Sequence, residues 1–225
     1  DSINAMTTDD YSVEFWVYIN STQPDTGNGD NDLVEKWSGS GGYPFVFRYI
    51  RASGKIYSAV YSPATVAFTS LNISTDTWNH VCGVFDRSTN QLILYVNYTS
   101  SITISIASVT GDTTNDSDLF LMKRGGGINH AAGRMGEVRI YPRALTAAQV
   151  YQNYNATKSK YINEAPDTAP KIGPGIVYGS NLILNYDFGN RATYDRAQNL
   201  LKYSEQVDGL NYTNPDWGRN GNIDF

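Results

Sequence analysis

Cysteine is nearly missing from this 225-residue chain: there is one, Cys82, inside the apolar run Val81-Cys82-Gly83-Val84-Phe85. A single thiol cannot close an internal disulfide, and in such a run it reads as a small buried hydrophobe, so packing must hold the fold. Histidine is almost as scarce, with His80 and His130 alone, and without cysteine or histidine pairs a structural zinc site is excluded. No apolar run reaches the roughly 18 residues of a spanning helix. Charge is thin as well: 17 Lys and Arg against 22 Asp and Glu leave a net −5, with no basic footprint for nucleic acid or an anionic membrane. No signal-peptide pattern is visible, and the chain opens on Asp1 without a Met, as a processed product or an excised fragment would.

What the chain has instead is aromatic side chains, 17 Tyr, 8 Phe and 4 Trp. Such a load is common in β-sandwiches and on surfaces where flat rings stack on sugars, although a single ring usually packs in a sheet or core. In Tyr11 to Ile19, Val13, Phe15, Val17 and Ile19 alternate with Ser12, Glu14, Trp16 and Tyr18, the repeat of a strand with two unlike faces. Leu33 to Lys36 reads as a short strand, and Phe45 to Ile50 with Lys55 to Tyr61 as a hairpin across Ser53-Gly54. Further strands are expected over Thr65 to Leu71, Trp78 to Phe85, Gln91 to Asn97, Ser101 to Val109 and Leu119 to Met122. The turn after Asn97 is left open by Tyr98.

The most specific stretch runs from Gly133 to Val150, Gly-Arg-Met-Gly-Glu-Val-Arg-Ile-Tyr-Pro-Arg-Ala-Leu-Thr-Ala-Ala-Gln-Val. Its first half alternates as a strand that Pro142 stops. Thr146 then stands as an N-cap for one or two helical turns, its hydroxyl satisfying an otherwise orphan backbone N–H. This order resembles the closing signature of laminin G-like domains, a branch of the concanavalin A-like lectin and glucanase superfamily. Upstream, Tyr11 to Val17, Leu33 to Lys36, Trp78 to Val81, Leu92 to Asn97 and Leu119 to Leu121 fall in that family's order. The resemblance implies an all-β fold, a two-sheet antiparallel β-sandwich (jelly roll) over residues 1–160 with a short C-terminal helix. Phe15, Val17, Trp78, Val81, Val84, Leu94, Val96, Leu121, Val138 and Ile140 are expected among its buried residues, with Trp78 as an anchor. The family's usual first strand is represented here by its end at most, which leaves a sheet edge open for another chain.

Two loops are acidic. Asp25, Asp30 and Asp32 lie in the Gly- and Asn-rich span 21–32, and Asp112, Asp116 and Asp118 precede Leu119. Oxygen ligands of this kind suit calcium, and equally serve as turn formers; the resemblance adds that some relatives bind calcium near the second position. The segment Lys123 to His130 is glycine-rich but lacks a phosphate-loop pattern. Because jelly-roll lectins dock sugars at the rim and concave sheet, the resemblance makes Lys123, Arg124, Asn129 and His130 binding candidates. A glucanase needs two carboxylates about 5 to 5.5 Å apart for retention, which relatives place on one strand as Glu-x-Asp-x-Glu. Here Asp30, Asp32 and Glu35 alternate, but the first two are expected in a loop, and no Ser-His-Asp arrangement appears. The expectation is a protein that is not an enzyme.

Beyond Tyr161 the composition changes. Residues 161–180 read as a Pro/Gly linker, with Pro166, Pro170 and Pro174 in its centre. Residues 181–225 hold the starts of a further β module, too short for a core of its own. There Asn199-Leu200-Leu201-Lys202-Tyr203-Ser204-Glu205-Gln206 resembles a phrase of sugar-binding-type modules in tailed-phage virion proteins. The reading is therefore a non-catalytic carbohydrate-binding module of a virion protein, with a host-surface glycan and other virion subunits as partners and a homo-oligomer or larger assembly as its state. Alternatives are a purely structural capsid-decoration or tail protein, and a secreted adhesion protein. The last is compatible with Asn-x-Ser/Thr triplets at Asn20, Asn72, Asn97, Asn115, Asn155 and Asn211.

Overall fold

The computed structural model describes residues 9–27, 29–37, 39, 41–125 and 129–162, and the backbone of 184–187. Its strands are β1 (Tyr11–Ile19), β2 (Asp30–Glu35), β3 (Tyr43–Ile50), β4 (Lys55–Ser62), β5 (Thr65–Asn72), β6 (Trp78–Asp86), β7 (Gln91–Val96), β8 (Ser100–Ser105), β9 (Phe120–Leu121), β10 (Gly133–Tyr141) and β11 (Leu184–Asp187), with helix α1 (Ala147–Thr157) before the last. They form a six-stranded antiparallel sheet in the order β11-β10-β1-β6-β7-β8 and a five-stranded one in the order β5-β4-β3-β2-β9. Alternation puts Val13, Phe15, Val17, Val81, Phe85, Leu94, Val138 and Ile140 of the first sheet against Leu33, Phe45, Phe47, Ile56 and Val60 of the second, in one core cluster. Phe15 meets Phe47 edge-on at 5.2 Å, the geometry that ring quadrupoles favour.

The β10 edge, where the sequence leaves an opening, carries β11, with Val138 opposite Tyr186 and Ile140 opposite Leu184. The rest of the linker and extension lies outside the described residues. The turn after β7 is a three-residue loop between the paired Val96 and Ser100, with Asn97 and Tyr98 both at positive φ, 52° and 59°. Two expectations about burial need correction. Trp78 is half-buried and belongs to the outward side of β6 with His80 and Cys82, where it leans on Tyr161 at 4.8 Å. Leu121 is half-buried because β9 is a two-residue edge strand.

Helix α1 is three turns long rather than one or two, and it lies over the outward side of the six-stranded sheet. Thr146 Oγ1 accepts from Gln149 N at 3.3 Å while Gln149 Oε1 accepts from Thr146 N at 3.0 Å, a reciprocal capping box. Beneath the helix, Glu14 receives Arg139 Nη1, Tyr141 OH and Asn153 Nδ2 at 3.0 to 3.1 Å. Trp16 donates to Thr157 Oγ1 at 2.8 Å and stacks between Tyr154 and Tyr161. The signature stretch therefore closes the sheet with β10 and then seals its outer side.

Candidate functional site

The five-stranded sheet has no such cover among the described residues. Its register places side chains in rows across the outward face. One row runs Phe68, Ala59, Val46, Glu35, Phe120 from β5 to β9. Its neighbours are Ser70, Tyr57, Arg48, Asp32 on one side and Val66, Tyr61, Tyr43 on the other. Tyr43, Tyr57, Tyr61 and Trp37 lean together over Val46 and Ala59, which is why these two are buried on an outward face. At the β5 end Phe68 stacks on Tyr57 at 5.3 Å and is 57 % exposed, with Val66 42 % exposed beside it.

Toward β2 the face becomes ionic. Arg48 Nε stands 2.8 Å from Asp32 Oδ1 and its Nη2 3.1 Å from Glu35 Oε2. Arg124 Nε lies 3.1 Å from Asp32 Oδ2 and 3.4 Å from Glu35 Oε1, and Asp30 is within 3.6 Å of Arg48. Asp32 and Glu35 are fully buried. Burial and the neighbouring Asp32 charge push Glu35 up to about 7 against the pull of both guanidinium groups. Asp30 is raised for the same first reason, and Arg48 is raised because its carboxylates outweigh its burial.

Beyond β9 the face ends in a rim cleft of about 340 Å³ lined by Trp37, Asp116, Ser117, Asp118, Phe120 and Gly125. Its acidic wall is pinned from behind. The buried Lys36 Nζ donates to Asn115 O at 3.1 Å and to Ser117 O, while Asn115 Nδ2 donates to Lys36 O and Gly42 O at 2.9 and 3.0 Å. Gly42 admits this loop: a Cβ there would fall 2.3 Å from Asp112 O. Burial lowers the Lys36 pKa, with Asp116 and Asp118 opposing it.

Residues 1–151 match the laminin G family model of the concanavalin A-like lectin/glucanases superfamily. The chain belongs to that superfamily. It is similar in fold to a putative carbohydrate binding protein from Bacteroides ovatus, at 17 % identity and a TM-score of 0.55 over 82 % of this chain and 47 % of that one. It also resembles the Botulinum neurotoxin serotype G binding domain, at 15 % identity and a TM-score of 0.53 over 68 % of this chain and 37 % of that one. The binding domain of Paraclostridial Mosquitocidal Protein 1 gives 15 % identity and a TM-score of 0.50 over 67 % and 38 %. The chain thus spans less than half the length of each of these structures, and at such identities the likeness is one of fold. A search of curated proteins finds no match.

On this superfamily sandwich the residues singled out from sequence are dispersed. Arg124 and Asn129 are buried, Arg124 as the second guanidinium of the ionic cluster, whereas Lys123 and His130 are exposed. Asp25 pairs with Arg51 at 2.8 Å, Asp30 and Asp32 with Arg48, and Asp112 accepts from Thr114. Among the described residues no three His, Cys, Asp or Glu side chains are grouped to hold a metal ion. Asp30 and Asp32 correct the loop expectation, because they are held in β2 opposite Ile50 and Arg48. Sequence reasoning missed Arg48, Trp37, Tyr57, Phe68 and Phe120 as site residues. Arg48 left a signal, being the one charged residue in the apolar strand Tyr-Pro-Phe-Val-Phe-Arg-Tyr-Ile.

Proposed function

We propose that this chain is a non-catalytic carbohydrate-binding module that takes a saccharide on the outward face of its five-stranded sheet. The observation that carries the reading is the Phe68 and Tyr57 stack, an exposed ring platform on a sheet face that no element among the described residues covers. Sugar rings present axial C–H groups to such platforms and hydroxyls to flanking polar groups. The buried, arginine-paired state of Asp32 and Glu35 supports the non-catalytic part, since neither carboxylate is presented to a glycosidic oxygen or a water. A glycan array on the intact chain tests the reading. Phe68→Ala should lower binding of any hit by about tenfold or more with little change in stability; an array without hits, or hits indifferent to Phe68→Ala, overturns it.

We place the module on a virion, as an adhesin toward host-surface glycans, on the strength of the phage-like phrase at Asn199 to Gln206; particle proteomics and immunogold labelling test that location. A structural role is favoured by one feature, the exposed Val66 and Phe68 on edge strand β5. A concentration-dependent mass that Phe68→Ala abolishes, without glycan binding, would support it. Calcium at Asp116 and Asp118, whose exposed carboxylates share one loop, is an alternative proposal that excludes direct contact of the same carboxylates with a ligand. Thermal melts with and without chelator test it: a lower melting temperature in chelator supports the ion, and an unchanged one leaves the loop a turn.

A further inference from the structure

The rim cleft says more about the ligand than the ring platform does. At about 340 Å³ it sits at the lower end of the range of small-molecule sites and has room for a single sugar ring. Trp37 and Phe120 give it apolar walls, and Asp116, Ser117 and Asp118 give it polar ones. The loop carrying the polar wall is held by Lys36 and by Asn115, so the backbone that bears its carboxylates is fixed before a ligand arrives.

Among the described residues that line this cleft, the exposed charges have one sign. Lys36 is buried, with its ammonium directed to Asn115 and Ser117. Arg124 lies 4.9 Å over the Trp37 ring but is buried and committed to Asp32 and Glu35. Asp116 and Asp118 are exposed. An ionised carboxylate only accepts hydrogen bonds. It therefore suits the hydroxyls of a neutral sugar and the ammonium of an amino sugar, and it repels a uronate, a sulfate or a sialic carboxylate.

We infer that the cleft is a saccharide subsite selective by charge, accepting a neutral or amino hexose between Trp37 and Phe120 and rejecting anionic glycans through Asp116 and Asp118. This rests on the carbohydrate-binding reading and assigns its ligand class. Tyr61 and Tyr43, over the buried Ala59 and Val46, lie between the platform and the cleft on the same face, so a chain of several sugars lies across the sheet with one end in the cleft.

Three β-1,4-linked tetramers of one backbone, built of glucose, glucosamine or glucuronate, are titrated calorimetrically into the full chain in chelator. The glucose and glucosamine tetramers should bind about tenfold or more tightly than the glucuronate tetramer, the effect of one like-charge contact in a partly solvated site. In the double variant D116N and D118N, whose changes are exposed and isosteric, the three affinities should converge. Glucuronate binding as tight as glucose, an unchanged ranking in the double variant, or glucuronate binding restored by added calcium each overturns the inference. So does failure of all three tetramers to bind. If array hits sensitive to Phe68→Ala persist in that last case, the broader carbohydrate reading stands and the cleft assignment alone falls.

Discussion

The two outward faces of the sandwich start from similar side chains and arrive at opposite states. On the six-stranded sheet two buried carboxylates, Glu14 and Glu137, share Arg139, with Tyr141 and Asn153 also donating to Glu14 and Lys160 pairing with Glu137, and helix α1 lies over the Glu14 group. Burial there opposes ionisation, but His80 at 3.6 Å, Arg139 and Asn153 outweigh it and hold Glu14 at about 2. On the five-stranded sheet three carboxylates share two guanidinium groups, and burial with mutual repulsion moves Glu35 the other way, to about 7. Donor surplus makes the first face a structural clasp. On the second face the carboxylates outnumber the guanidinium groups, and no element among the described residues covers the exposed rings beside them.

Removing Glu14 breaks this comparison most severely. Glu14→Ala leaves the Tyr141 hydroxyl buried without its acceptor, takes from Asn153 its carboxylate acceptor, and leaves Arg139 with the Glu137 carboxylate. The expected loss is about 3–5 kcal/mol in urea unfolding, against under about 1 kcal/mol for Phe68→Ala on the exposed face. Similar costs for the two variants would mean that the helix-covered face is no tighter than the open one.

Acid and base should pull the faces apart. Glu14 is depressed below its unfolded value, so the stability it supplies is present above about pH 4.5 and is lost as pH falls toward 2, on the order of 3 kcal/mol in all. Glu35 is raised, so the folded state holds a proton that the unfolded chain has released. Its contribution is therefore greatest below about pH 4.5 and declines as pH rises through 7. Together they predict a stability maximum on the acid side of neutrality. Glu35→Gln should flatten the decline between pH 5 and about 7 without moving the acid limb, as chemical denaturation across pH will show. An unchanged neutral slope would remove Glu35 from the account.

Local rules explain which parts of this were legible in sequence. The strands with period-two alternation, β1, β6 and β10, and the Thr146 cap with Gln149 three residues on need only near neighbours to be read. Trp78 shows the limit: alternation separates two faces, but once a helix covers the outer face both are buried, and nothing local says which faces the core. Asp30 to Asp32 has the composition of a loop because the partner that makes it a strand, Arg48, lies on β3. Arg124 looked like a binding residue for a matching reason, since the Asp32 that claims it is 92 residues away. The aromatic pavement was written as ordinary strand residues, and only the register of β3, β4 and β5 shows that its rings share a face.

The smallest effect sharpens what the helix does. Thr146→Ala removes the hydroxyl that accepts Gln149 N and frees the Gln149 side chain from Thr146 N. Loss of such a cap costs about 1 kcal/mol. The cap sits at the end of α1 that enters from Pro142, whereas the Trp16 bond to Thr157 and the Glu14 bond to Asn153 anchor its middle and far end. Fraying should therefore stay within the first turn. The urea midpoint should fall with an unchanged m-value, and amide exchange should quicken at Ala148 and Gln149 but not at Asn153 or across β1. Faster exchange throughout β1 would instead show that the cap governs the whole cover, and that the closed face is held shut from its edge rather than from its buried carboxylate.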